Sequence, residues 1–294
     1  MKKCANWIKF RKLAKKKKKQ FCAIISNQNK RHKVKKLVEN VWDYSKHAKF
    51  YEFRPNYTPK SIDMLVVLAR GGGIEPLRVA DIGAGTGNLS IMLCERGLKV
   101  TAIEPNDAMR EIGIARTKET NIEWIRATGL ENGLKASEFD LVTFGSSFSV
   151  MDRSKALKES HRLLKKGGYF SCMWNHRDLN DPLQKSVEAI VEECVPNYER
   201  GARREDQRPI IEAHKELFDE IVYLEHDFYF KQSLDNYILA WQSVKNPYWD
   251  LDTDAGRNLF ETICTKIRQK LPSEFSIKYT TRCWSAKKIK RLFV

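Results

Sequence analysis

Seven cysteines are scattered through the 294 residues, at positions 4, 22, 94, 172, 194, 264 and 283, and no two lie three apart. The odd count and the lack of any C-x-x-C pair argue against a zinc ribbon, a redox dithiol or a disulfide scaffold. No metal site is expected, and a reducing compartment is the simple reading. No apolar stretch approaches the roughly 18 residues of a membrane span. The first residues lack a compact apolar run followed by a small-residue cleavage site, so the expected location is cytoplasmic. Internal repeats are also missing. The most uneven shortage is of acid: residues 1–36 hold fifteen Lys or Arg and no Asp or Glu. The other 258 residues hold 38 basic and 37 acidic groups, so nearly all of the net charge of +16 belongs to an N-terminal arm over residues 1–40. Three readings of the arm stand side by side. They are a solvated, self-repelling tail, an anchor on an anionic surface of RNA or lipid, and a targeting segment.

The remaining chain, 41–294, reads as one domain. Strands over 78–82, 99–103, 122–127, 139–144 and 169–174 alternate with helices over 88–96, from Asn106 to about Thr117, and over 154–164. A further helix follows Pro59, and Gly71 to Gly73 end it. Alternation of this kind implies right-handed crossovers and a doubly wound parallel sheet with helices on both faces. The rhythm changes after Trp174. Residues 181–195 and 234–244 look helical, whereas 221–230 and 275–284 look extended.

The chemistry concentrates in Asp81-Ile82-Gly83-Ala84-Gly85-Thr86-Gly87. A strand runs into a loop with glycine at every second position, which lets a ligand lie against the main chain. The amides of the following helix start are free to donate. The spacing is G-x-G-x-G, not the G-x-G-x-x-G of dinucleotide folds, and no Lys-Ser or Lys-Thr follows to make a P-loop. Glu104 ends the second strand seventeen residues after Gly87. An acid at that place can accept both hydroxyls of a ribose; alone it would be only a solvated strand end.

With these motifs the chain resembles the class I S-adenosylmethionine (SAM) dependent methyltransferases, specifically the small-molecule kind with a type 11 domain. Residues 79–87 resemble the first motif of that family, and Thr101 to Asn106 with Met109 the second. Residues 139–143 resemble the fourth-strand motif, and 161–168 the turn before the fifth strand, with Lys166 where proline is common. The resemblance implies a Rossmann-like seven-stranded mixed sheet, mostly parallel, with an antiparallel last strand and a helical lid insertion over roughly 178–273. It also implies roles. Asp81, Gly83, Ala84, Gly85 and Gly87 surround the methionine part of SAM, Glu104 holds the ribose, and Pro105 and Met109 pack on the adenine. Arg54 meets the carboxylate. Thr128 and Gly129 stand where relatives often place an aspartate for the adenine amino group. Gly145 and Phe148 follow the fourth strand.

On the acceptor side, Trp174 and Asn175 lie at the catalytic rim, and His176 is the candidate base, since a neutral imidazole titrates near working pH; a histidine bonding a loop is the alternative. Trp241 and Tyr248 are candidate walls of an acceptor pocket, or ordinary core aromatics. Neither the Asp/Asn-Pro-Pro-aromatic motif for nucleobase and glutamine amino groups nor a Pro-Cys for C5 chemistry is present. The expected reaction is transfer of the SAM methyl to an oxygen or nitrogen of a small-molecule metabolite. Two alternatives remain open: an RNA- or ribosome-associated methyltransferase anchored by the arm, and a non-catalytic SAM-binding protein.

Overall fold

The computed structural model describes residues 44–71, 73, 77–199, 205–244 and 246–289. The basic arm, with Cys4 and Cys22, lies outside the described residues. The first helical turn is a 3-10 helix, Ala48–Phe53. Helix α1, Pro59–Arg70, starts with proline at its first position, where a missing N–H costs nothing, and stops at left-handed Gly71, whose N–H donates to Val67 O. Then follow β1 (Arg78–Ile82), α2 (Asn88–Cys94), β2 (Lys99–Ile103), α3 (Asp107–Arg116), β3 (Glu123–Ile125) and β4 (Phe139–Gly145). The second half holds α4 (Arg153–Leu163), β5 (Leu164–Arg177), α5 (Pro182–Cys194), α6 (Arg208–Glu212), β6 (Phe218–Ser233), α7 (Leu234–Trp241), α8 (Asp254–Lys270) and β7 (Glu274–Lys288). Short polar side chains cap the starts of α3, α4, α5, α7 and α8. Asn106 Oδ1 accepts from Met109 N–H at 3.0 Å, and Asp181 Oδ1 accepts from Gln184 N–H at 3.0 Å.

The sheet has seven strands in the order β3-β2-β1-β4-β5-β7-β6. The first five are mutually parallel, and β7 runs antiparallel to both β5 and β6. The expected mixed, doubly wound sheet is therefore the fold. Three details differ from the sequence reading. The turn expected at Lys165 to Gly168 is a bulge inside β5: Gly167 has φ 78°, and the register with β4 shifts between Phe139 and Leu141. Strands β5, β6 and β7 run 14, 16 and 15 residues, well beyond the apolar segments that mark them, because polar residues such as Asn175, Asp227 and Lys278 are also paired. Finally, residues 178–273 are not one helical insertion, since β6 passes through them.

Alternation sorts the strand residues onto two faces. One face packs Val79, Val100, Leu141 and Met173 against Ile62 and Leu65 of α1 and Leu89 and Leu93 of α2. The other packs Ile82, Phe144, Phe170, Trp174 and Trp284 against Leu157 of α4 and Ile211 of α6. A third core lies among α5, α7, α8 and the sheet end, built on Val187, Tyr237, Trp249, Phe260, Ile263 and Ile277. No helix among the described residues is long and apolar enough to cross a membrane.

Candidate active site

The parallel strands β1, β2, β4 and β5 end on one edge, and their exit loops build the site. At the end of β1 the chain turns through Gly83, with φ 66°. A Cβ there would sit 2.6 Å from Ser147 Cβ, so only glycine lets the loops leaving β1 and β4 touch. Ser147 Oγ ties them by donating to Ile82 O at 2.5 Å. The Gly83 and Ala84 amides donate to Ile103 O, which fixes the loop to the end of β2. Arg116 braces its outer side, donating to Thr86 O and Asn88 Oδ1.

Glu104 lies beside this loop, 7% exposed. Oε2 accepts from Gly85 N–H and Oε1 from Asn106 N–H, each at 2.8 Å. Burial raises its pKa, and the two amide bonds oppose the rise. Each oxygen keeps lone-pair capacity beyond one amide bond. The carboxylate is therefore held rigid with acceptors to spare, which suits the two hydroxyl donors of a ribose. Pro105 is half-buried beside it, and Met109 is buried with its methyl 3.4 Å from where a Gly85 Cβ would stand. This set fits the nucleoside part of SAM in donor chemistry and in apolar lining.

Asp81 lies inside the sheet, fully buried. Ser90 Oγ donates to Oδ2 at 2.6 Å and Thr143 Oγ1 to Oδ1 at 2.9 Å. Burial pushes its pKa up to about 6, against the lowering effect of both hydroxyls. Its carboxylate thus joins β1 to α2 and β4. Gly129 is buried, and a Cβ on it would meet Ile82 Cγ2 at 2.5 Å; Thr128 is exposed, and its Oγ1 accepts from Glu131 N–H. Phe148 is fully buried against Phe144 and Phe170, so it supports the β4 exit from below.

A strap over residues 44–58 runs along this edge. Asn106 Nδ2 donates to Ser45 Oγ, His47 Nδ1 donates to Gln242 O, and Tyr57 O–H pairs with Ser146 Oγ at 2.9 Å. Asn175 Nδ2 donates to Pro55 O and Asn56 O, and its Oδ1 accepts from Thr281 Oγ1 at 2.6 Å. Thr58 N–H closes the circuit by donating to Thr281 Oγ1. Within the strap the Arg54 guanidinium lies 4.9 Å over the Tyr51 ring. Of these residues the sequence singles out Arg54, Asn106 and Asn175, and the last two serve the strap directly. The density of Tyr44, Phe50, Tyr51, Phe53 and Tyr57 ahead of α1 is the signal that could have marked the rest.

The acceptor-side residues are spread more widely. Trp174 and His176 are buried on the sheet face that holds Phe144, whereas Asn175 and Arg177 point the other way. Trp241 and Tyr248 belong to the third core. Trp241 stacks on Trp249 at 5.8 Å with Arg177 5.4 Å above its ring, and Tyr248 packs on Tyr198 while its hydroxyl accepts from Glu199 N–H. The structure brings the cofactor-side residues to one edge; it does not gather Tyr248 there, because packing within the helical layer claims it.

Residues 80–172 match a family model described as a methyltransferase domain. An uncharacterized methyltransferase of Mycobacterium tuberculosis is 35% identical over 125 residues, which is 42% of this chain and 48% of that protein. A ubiquinone/menaquinone biosynthesis C-methyltransferase of Rhizobium meliloti is 31% identical over 145 residues, covering 45% and 55%. The chain thus spans about half the length of the curated relatives it matches. Among solved structures, one from Anaeromyxobacter dehalogenans, described as a candidate type II methyltransferase, aligns with a TM-score of 0.50. It is 15% identical and covers 80% of this chain and 97% of that one, a likeness of fold. The ordered motifs, the sheet and the family match converge on residues 80–172: this part of the chain matches a methyltransferase domain, on a fold similar to that of the class I S-adenosylmethionine-dependent methyltransferases, whose cofactor is SAM.

Proposed function

We propose that this protein transfers the methyl group of SAM to an oxygen or nitrogen of a small-molecule metabolite and releases S-adenosylhomocysteine. One observation carries the reading: Glu104, buried at the end of β2, is held by Gly85 N–H and Asn106 N–H beside the glycine loop. When bound, SAM supplies a methyl group already activated by its sulfonium. The protein's task is then alignment of donor and acceptor in a dry cleft, which can supply most of a rate enhancement without a strong base. In this proposal Glu104 accepts the ribose hydroxyls, and Pro105 and Met109 line the adenine. The main chain of Gly83, Ala84, Gly85 and Gly87 follows the methionine part, with Gly145 beside it. Asp81 acts from beneath, fixing β1 to β4, and Phe148 supports the same exit loop. Arg54 approaches the carboxylate from the strap. Gly129 and the main chain near Thr128 border the adenine, since the Thr128 hydroxyl already accepts from Glu131 N–H.

On the acceptor side, the C–S bond breaks as the new bond to oxygen or nitrogen forms, and the nucleophile's proton must leave. His176, at the rim, is the candidate to take it. The helical layer of α5, α7 and α8 is proposed as the cover of the acceptor, with Trp241 nearest the rim. We assign the activity to the cytoplasm. A carbon acceptor is the second reading, favoured by the names of relatives such as the Rhizobium meliloti C-methyltransferase. A surface anchor made by the arm rests on its fifteen basic residues. It predicts salt-sensitive RNA or anionic-vesicle binding that disappears when residues 1–36 are removed.

The test is incubation with methyl-labelled SAM and a panel of phenols, amines, carboxylic acids and activated-carbon compounds. S-adenosylhomocysteine formed in step with a labelled O- or N-methyl product is expected. SAM binding with no turnover across the panel would leave a non-catalytic SAM-binding protein.

A further inference from the structure

Buried polar atoms are almost always hydrogen-bonded, and leaving one unpaired costs about 1–3 kcal/mol. Two indoles on one face of the β5–β7 pair differ in this respect. Trp284, opposite Cys172, donates its N–H to Asp206 Oδ1 at 2.8 Å. Trp174 lies two residues further toward the carboxyl edge of β5, its ring centroid 5.9 Å from that of Trp284. Trp174 is 2% exposed, and its Nε1 has no acceptor. Opposite Trp174 in the register is Arg282. Its buried Nε likewise has no hydrogen-bond partner, although Glu225 Oε2 lies 3.3 Å away as an ion pair. Gln207 follows Asp206 in sequence and is fully buried. Its Nε2 donates to Glu205 O, and its Oε1 has no donor.

These atoms stand at the right end of the sheet. Ser146 N–H donates to Met173 O, so Trp174 adjoins the loop that leaves β4 beside the glycine turn. The surroundings are aromatic, with Phe148 in the same core and Tyr223 5.0 Å from Trp284. The nearby charges are matched. Arg282 faces Glu225, and Lys278 reaches both Asp227 and Asp178. A flat, uncharged ligand with one polar oxygen suits this set better than an ion does.

Building on the methyl-transfer reading, we propose that Trp174 and Arg282 anchor the methyl acceptor, with the Trp174 indole N–H donating to a hydroxyl or carbonyl oxygen of an uncharged, ring-bearing compound. Trp174 thereby orients the acceptor; the group that receives the methyl is a separate matter.

The test uses the full chain with ¹⁵N-labelled tryptophan, saturated with S-adenosylhomocysteine, and titrated with 2-naphthol and with naphthalene. The two probes share a ring system and differ by one hydroxyl. The Trp174 indole resonance is expected to move with 2-naphthol and to stay with naphthalene. W174F keeps an aromatic ring and loses the N–H. It is expected to weaken 2-naphthol about tenfold, the value of one hydrogen bond at the upper end of its range, with naphthalene unchanged. A Trp174 resonance that ignores 2-naphthol while S-adenosylhomocysteine still binds would overturn the anchor and leave methyl transfer standing, with a bound water then satisfying the indole. Failure of S-adenosylhomocysteine to bind would overturn both. The wild-type spectrum decides the matter even should W174F not fold, because the indole signals can be assigned on the native protein.

Discussion

The two ends of the sheet are built differently. Strands β1 and β2 are five residues long, parallel and buried, and each ends in a turn whose residue types are dictated by what the backbone must do there. Strands β6 and β7 are three times as long and antiparallel, and they carry cross-strand charge pairs such as Lys287–Glu220 and Lys278–Asp227. At the first end, a glycine at φ 66° and a carboxylate bonded by two amides leave few alternatives at each position. At the second, exposed ion pairs contribute little individually, and many sequences would serve. The cofactor side is therefore written in short motifs. The other end is written in tertiary convergence, with strap, β5 rim and helical layer drawn from distant parts of the chain.

The largest expected effect separates the helical layer from the sheet. Trp249 is 4% exposed and stacks on Trp241. Trp249→Ala should cost about 3–5 kcal/mol in chemical denaturation. If the layer covers only the acceptor, affinity for S-adenosylhomocysteine in the folded variant should stay close to wild type; a matching loss would join the two regions.

The second prediction concerns pH. Burial raises Asp81 from its ordinary 3.8 to about 6. Between those values the folded protein holds the proton more tightly than the unfolded chain does. This contribution to stability is fully present below about pH 4 and is lost as pH rises through 6, amounting to about 3 kcal/mol. Urea midpoints measured from pH 4 to 7 should show the decline, and Asp81→Asn should flatten it. An unchanged slope in the variant would assign the dependence to other groups.

Gly83→Ala should come next. Its Cβ would press on Ser147 in a left-handed backbone, at a cost of about 1–3 kcal/mol. A thermal melt gives the loss, and cofactor titration shows whether the loop still closes. The smallest effect is on the strap. Tyr57→Phe removes the bond to Ser146, worth about 0.5–1.5 kcal/mol. It should raise protease or hydrogen-exchange accessibility over residues 44–58 while leaving the sheet core protected.

The same contrast explains what the sequence disclosed. The order of β1 to β5, the helix start at Asn106, the glycine turn and Glu104 were all legible, because each is a local demand on residue type. Strand lengths beyond Trp174 were not, since pairing there does not follow an apolar pattern. Helix α8 passed unread as well: its buried Phe260, Ile263, Cys264 and Ile267 lie among eight charged or amide side chains. Ser90 and Thr143, which hold Asp81, and Arg116, which braces the loop, were invisible for another reason: small polar residues and surface arginines have no pattern until the fold brings them to their partners. Trp241 and Tyr248 show the converse. Aromatic residues near a suspected site look like pocket walls in a sequence, and here packing inside the helical layer engages their rings.

Glu104 carries the central claim, and calorimetric titration of S-adenosylhomocysteine into the full chain and into Glu104→Ala, side by side, tests it. One saturable site on the wild type is predicted. On the variant the affinity should fall on the order of 100-fold or more, the loss of two hydrogen bonds to a charged acceptor. No binding to the wild type, or equal binding to both, would contradict the account.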